Sequence, residues 1–203
     1  MPTHNNNQKN EELYWYYHRH IRPLLAALEI ETSREYVELQ NEIRAAFDHI
    51  ARTYINISDD DIEHNHRCAL GHLQRVELDI LKHLNICFHT KSNKFFTSVS
   101  KYDLSRINNG AFLNYIRKAP HLVYLFEKQA RTLESKSKHE ALVAYRSAYV
   151  IGTDFFGTIE KHRKDIRKAK RSYLLGVLFK WLLLFFTTFI IYEFQAIARY
   201  FCL

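Results

Sequence analysis

An all-α fold followed by a single membrane-spanning helix is what this sequence predicts, and three observations carry the prediction. Five Gly and three Pro among 203 residues are few for a fold of strands and tight turns. Long segments rich in Leu, Ala, Glu, Lys and Arg place apolar residues at steps of three and four, the period of a helix with one buried face. Near the C-terminus, YLLGVLFKWLLLFFTTFIIY, Tyr173 to Tyr192, holds 20 residues with one charge. At about 1.5 Å per residue that is roughly 30 Å, the thickness of a bilayer's hydrocarbon core.

Taken in order, residues 1–9 are polar and Asn-rich and predict a disordered tip. MPTHNNNQKNEE lacks the apolar core of a signal peptide. A first helix is expected from Asn10 to Glu29, kinked or split at Pro23, with Tyr14, Trp15 and Tyr17 in a core or interface. Thr32-Ser33-Arg34-Glu35 has the form of a capping box opening a second helix. Val37, Gln40, Ile43, Phe47, Ile50, Tyr54 and Ile57 follow as its buried seam, with polar residues on both flanks.

Ser58 and three aspartates start a third helix, acids suiting the positive end of its dipole. Ile62, Ala69, Leu73, Val76, Ile80, Leu84 and Cys87 form its seam, and His72 and Asp79, seven apart, share a face. After His89 the pattern predicts an irregular helical continuation ending at Asn108-Asn109-Gly110. Pro120 fits the first position of a further helix. From about Ser137 another runs on toward the span, with Gly152 and Gly157 loosening it.

Insertion of the span is favourable in spite of Lys180. Its 13 Leu, Ile, Val and Phe residues contribute about −0.3 to −0.6 kcal/mol each, against roughly +3 kcal/mol for one lysine. The segment 161–171 carries seven Lys/Arg and one acid, whereas Arg199 is the only Lys/Arg after the span, so the N-terminal side is expected in the cytosol. The domains follow: 1–9 tip, 10–160 cytosolic helical domain, 161–171 basic juxtamembrane segment, 172–203 transmembrane helix and short tail.

The formal charge is +7, but residues 160–171 alone hold seven basic and two acidic residues, a net +5. The excess therefore predicts attraction of Lys161, Arg163, Lys164, Arg167, Lys168, Lys170 and Arg171 to anionic lipid, not a broad nucleic-acid surface. Three widely spaced cysteines, Cys68, Cys87 and Cys202, fit a reducing compartment and build no disulfide framework. Of the 12 histidines, His64 and His66 diverge on a helix, and no metal site or cofactor is predicted. Tyr173, Gly176, Lys180 and Thr187 form one polar, small-residue stripe on the span, the place for a helix contact or a water-filled path; the alternative is a snorkelling lysine on a passive anchor.

Arg44 and His49 lie in RAAFDH, and His72-x-x-Arg75 echoes His49-x-x-Arg52. An Arg and a His at one phosphate would supply charge stabilisation and proton transfer for RNA cleavage. The Arg-x-x-x-x-His spacing on an interior helix resembles the HEPN superfamily, whose active members are metal-independent ribonucleases with paired sites at a dimer interface. With the membrane span and a length of 203 residues, the chain resembles the HEPN-like membrane accessory proteins of type VI CRISPR systems.

That resemblance implies a HEPN-like helical bundle, a homo-oligomer, the bacterial inner membrane with the N-terminal domain cytoplasmic, and membrane permeabilisation in antiviral defence. It also implies an RNA-guided effector or RNA as partner. The alternative it implies is a membrane-tethered ribonuclease or toxin, using Arg44 and His49 without metal. Ala45 stands where active members carry a polar residue, and residues five apart on an unbroken helix diverge by about 140°, so a structural pair is expected instead. In that arrangement Arg44 would pair with Asp48 and His49 would line an internal polar contact.

Overall fold

The computed structural model of the chain describes residues 4–55 and 58–201, with side chains described over 7–55 and 58–194. Among the described residues there is no strand. The order is α1 (His4–Tyr16), a π-helical turn (Tyr17–Ile21), α2 (Arg22–Thr32), α3 (Val37–Arg52), α4 (Asp59–Val99), a 3-10 turn (Ile107–Gly110), α5 (Ala111–Leu133), α6 (Lys138–Lys161) and α7 (Arg163–Phe201). The fold is all-α with one long apolar C-terminal helix. Ile57 and Cys202 lie outside the described residues.

The polar tip expected over residues 1–9 is helical from His4, and Lys9 pairs with Glu63 on α4. The first helix is interrupted at Pro23, as expected: α1 gives way to a π-helical turn and α2 starts at Arg22. Pro23 has no N–H to offer the Arg19 carbonyl and its ring crowds that group. The π turn just before it absorbs the misfit, the Arg22 N–H reaching Tyr17 O five residues back.

The capping box expected at residues 32–35 does not form. Thr32 Oγ1 donates back to Leu28 O at 2.7 Å, Ser33 ends α2 in the left-handed region at φ 50°, and α3 starts at Val37 without a side-chain cap. Its buried row is Tyr36, Leu39, Ile43, Ala46, Ile50 and Thr53, one position off the expected seam. Ile43 and Ile50 belong to both rows, while Val37 and Tyr54 face outward. On α4 five of the seven expected seam residues, Ala69, Leu73, Val76, Ile80 and Leu84, are buried, Ile62 and Cys87 are half-buried, and Ser58 caps the first turn, accepting the Asp61 N–H at 3.2 Å.

α4 continues past His89 to Val99. Asn108, Asn109 and Gly110 then adopt positive φ of 48°, 49° and 85°, a left-handed run that no helix continues through. α5 starts directly after it, so Pro120 lies inside a helix instead of at its start. The buried row Phe112, Ile116, Ala119, Val123 and Ala130 holds the helix together across the missing rung. Gly152 does not loosen α6: a Cβ there would lie 3.0 Å from Phe88 Cδ2, so it is a close-packing position.

The contacts divide the chain into two compact units. The first comprises Met1–Asn93 and Lys118–Phe155. Its α4 is buried on two sides. Ala69, Leu73, Val76 and Ile80 pack with Leu13, Ile21, Leu28 and Ile43 of the first three helices, while Leu78 and Leu81 pack with Ala130, Ala141, Leu142 and Tyr145 of α5 and α6. A side chain such as Leu73, with no exposed surface, contributes on the order of 1.5–3 kcal/mol by leaving water.

The second unit comprises Lys94–Arg117 and Phe156–Leu203, so the boundary expected at residue 160 falls a few residues earlier and takes in the turn after α4. Leu104, Ile107 and Phe112 are buried there, and the Phe112 ring lies 5.1 Å from the His162 ring. His162 alone separates α6 from α7; the ladder carries on across it, His162 N–H to Thr158 O at 3.2 Å and Ile166 N–H to His162 O at 3.0 Å.

Candidate functional site

Polar side chains of α3 and α4 meet in one cluster in the first unit. Asn65 Nδ2 donates to Asp61 O at 2.8 Å, which leaves Asn65 Oδ1 as acceptor for the Nδ1–H of His49 at 2.8 Å. The His49 ring stacks on His72 with centroids 5.4 Å apart and planes 23° apart. His72 Nδ1–H donates to Glu42 Oε2 at 2.7 Å, and Arg75 Nη1 donates to both Glu42 oxygens at 3.2 Å. The hydrogen bond from His72 leads the Arg75 charge in holding the Glu42 carboxyl below its ordinary range.

With each Nδ1 committed, both imidazoles in their neutral form carry the lone pair on Nε2. Within the cluster Arg75 is engaged by both Glu42 oxygens. Arg44 does not join it. α3 is unbroken over Val37–Arg52, so Arg44 and His49 diverge, Arg44 exposed and His49 half-buried against α4. No ion pair links Arg44 to Asp48 among the described residues, so of the structural pairing only the His49 contact is present.

A second polar system runs through the core of the first unit. Glu77, with no exposed surface, accepts from Arg146 Nε at 2.5 Å and Nη2 at 2.8 Å and from the hydroxyl of Tyr16. Burial, then donation to Glu77, pushes the Tyr16 phenol far above its ordinary value. A third system is the buried His66, whose Nε2–H donates to Asn10 Oδ1 at 2.9 Å; the Asn10 amide is oriented by donating to Thr53 Oγ1 at 2.9 Å. His66 Nδ1 is buried without a hydrogen-bond partner among the described residues, and burial, ahead of the Lys9 charge, lowers its pKa. Sequence reasoning reached His49 and His72, but not Asn65, Glu77, Arg146 or the Asn10–His66 pair.

In the second unit, α7 contains one segment, Arg163–Phe194, long and apolar enough to cross a membrane, with none of its apolar window buried. A core helix of a soluble domain would be mostly covered; Trp181 here is 68% exposed and Phe185 65%. Of the stripe residues, Tyr173 packs edge-on to Tyr102 at 5.6 Å, nothing lies within 4 Å of a Cβ built on Gly176, Lys180 is exposed, and Thr187 Oγ1 donates to Leu184 O at 2.9 Å.

All seven basic residues from Lys161 to Arg171 are exposed. At 100° per residue, Arg163, Lys164, Arg167, Lys168, Lys170 and Arg171 fall on one arc of about 160°. Asp165, Ile166 and Ala169 fall outside that arc and are half-buried. No group of three or more His, Cys, Asp or Glu side chains able to hold a metal ion occurs among the described residues. Comparison of the chain with protein-family models, with curated proteins and with solved structures gives no match.

Proposed function

We propose that this chain is a single-pass protein of a bacterial inner membrane, its N-terminal side cytoplasmic, and a non-catalytic accessory in CRISPR-associated antiviral defence. Its HEPN-like helical domain assembles several copies, which brings their α7 helices together and permeabilises the membrane. An RNA-guided effector, or RNA itself, is the partner this role calls for.

The observation that carries the reading is α7: a helix apolar enough to span, unburied along its apolar window, with Lys180 exposed on the same stripe as Gly176. A lone anchor gains nothing from a lysine that costs up to about 3 kcal/mol within hydrocarbon, whereas a contact between copies or a wet path would use it. The divergence of Arg44 and His49 favours assembly over cleavage within one chain. Lys180→Leu is the test. It is expected to insert at least as well as wild type, yet to lose dye uptake and protection against phage in cells. Wild-type uptake and protection in that variant would mean the lysine snorkels from a passive anchor.

A further inference from the structure

A cleft of about 550 Å³ opens in the second unit where the turn after α4 faces the first three turns of α7. Three cations line it, Lys101 and Arg106 from the turn after α4 and Lys168 from α7. Two carboxylates oppose them. Asp103 Oδ1 is occupied by the N–H of Ser105 at 3.0 Å and by its hydroxyl, and Asp103 Oδ2 lies 3.4 Å from Arg106 Nε. Asp165 is divided between His162 at 3.5 Å and Lys168 at 3.7 Å. Lys101 has no ion pair among the described residues. Long, exposed pairs of this kind contribute little and rearrange readily around an incoming anion. Three cations against two carboxylates leave one positive charge, the complement of one phosphodiester.

The cleft's place on α7 identifies the source of that phosphodiester. Its lining ends at Ser172 and Tyr173, and Tyr173 opens the apolar run. Tyr102, edge-on to Tyr173, adds a second ring at the level where aromatic side chains meet headgroups. One turn further along the same helical face is Gly176, where nothing lies within 4 Å of a built Cβ. Leu174, Leu175 and Leu178 beside it are exposed. A soluble phosphate would use only the cations; a phospholipid uses the cations and lays its acyl chains along the bare helix. We infer that the cleft is a headgroup site for one anionic phospholipid of phosphodiester type, at the cytosolic end of the span. This rests on the membrane reading of α7.

The full chain, purified in neutral detergent, is titrated with phosphatidylglycerol and with phosphatidylcholine and followed by native mass spectrometry. Lys101→Gln/Arg106→Gln, inside the cleft, is compared with Lys164→Gln/Arg171→Gln, which removes the same charge outside it. A first phosphatidylglycerol is expected to bind wild type in preference to phosphatidylcholine. The cleft variant should lose affinity by at least about fivefold per cation removed, while the outer variant stays within about twofold of wild type. Lys101→Arg/Arg106→Lys, which keeps the charge, should retain binding and shows that lost affinity is not lost fold.

Equal losses in the two Gln variants would reduce the cleft to part of a diffuse basic collar and overturn the inference. So would wild type showing no preference, or millimolar inorganic phosphate displacing the lipid, which would make the ligand a free anion. Carbonate extraction of membranes separates the underlying reading: release of wild type sinks the membrane assignment itself, whereas retention with equal variant losses sinks only the lipid site.

Discussion

Replacing Arg146 by Met tests whether the buried Glu77 system holds the first unit together. Glu77 has no exposed surface and takes two of its three hydrogen bonds from Arg146, the third from Tyr16. Removing one partner of a buried pair strands the other charge and typically costs 3–5 kcal/mol. The Arg146 side chain is 33% exposed, so water enters behind the substitution and part of the charge is resolvated; the loss is therefore set at the lower end, about 3 kcal/mol. For a chain of this size each kcal/mol moves the melting midpoint by about 2–4 °C, so the expected drop is about 6–12 °C.

Far-UV circular dichroism of the full chain in neutral detergent at neutral pH reads that shift, α7 adding a constant helical signal from the micelle. The double variant Glu77→Leu/Arg146→Met removes both charges and should recover at least half of the loss, because no ion is left in the core. A single variant that melts within about 2 °C of wild type would show that the pair has no net effect. A double variant less stable than the single would show that volume rather than charge sets the penalty.

Acidification should act through His66. Its folded pKa is lowered below the ordinary 6.5 by burial and then by Lys9, with Glu63 opposing. The unfolded chain therefore binds this proton first, so stability is full above pH 6.5 and falls as pH drops below it. His66→Gln should flatten the melting midpoint across that window, and an unchanged slope in the variant would assign the effect elsewhere. Arg44→Ala and His49→Ala should impair assembly while leaving no RNA-cleaving activity to lose. Light scattering and RNA digestion on the purified chain decide this, and variants of normal size that abolish a wild-type cleavage would reverse the assignment.

Where a helix carries a long apolar row at helical period, the sequence places that row. α4 shows this for Ala69, Leu73, Val76, Ile80 and Leu84, while its second buried side, Leu78 and Leu81 against α5 and α6, went unread. α3 offers two adjacent rows, one through Val37, Phe47 and Tyr54, the other through Leu39, Ala46 and Thr53. Larger side chains made the first look buried, but small ones allow the close approach that the second makes. Thr32-Ser33-Arg34-Glu35 and Pro120 are local signals overruled by packing and by the left-handed turn that starts α5 ahead of the proline. Glu77 had no signal at all, because its partner Arg146 is 69 positions away.

The length of α7 constrains what Lys180 can do. Its 39 residues make a rod of about 58 Å, nearly twice the roughly 30 Å of hydrocarbon it would cross. With Tyr173 and Tyr192 at the two interfaces, Lys180 would lie about 10 Å from the one on its N-terminal side. Sliding the helix seven residues toward its N-terminal side would lift Lys180 to the interface and exchange Leu174, Leu175, Val177, Leu178 and Phe179 for Phe194 and Ile197, a net loss of three apolar residues or about 1–2 kcal/mol. It would also draw Glu193 into hydrocarbon at a cost similar to that of the lysine, about 3 kcal/mol. Sliding the other way buries Arg171 and Lys170. The register is thus pinned from both sides, and the lysine stays within the span, where only snorkelling, a lipid phosphate or a neighbouring copy relieves its cost.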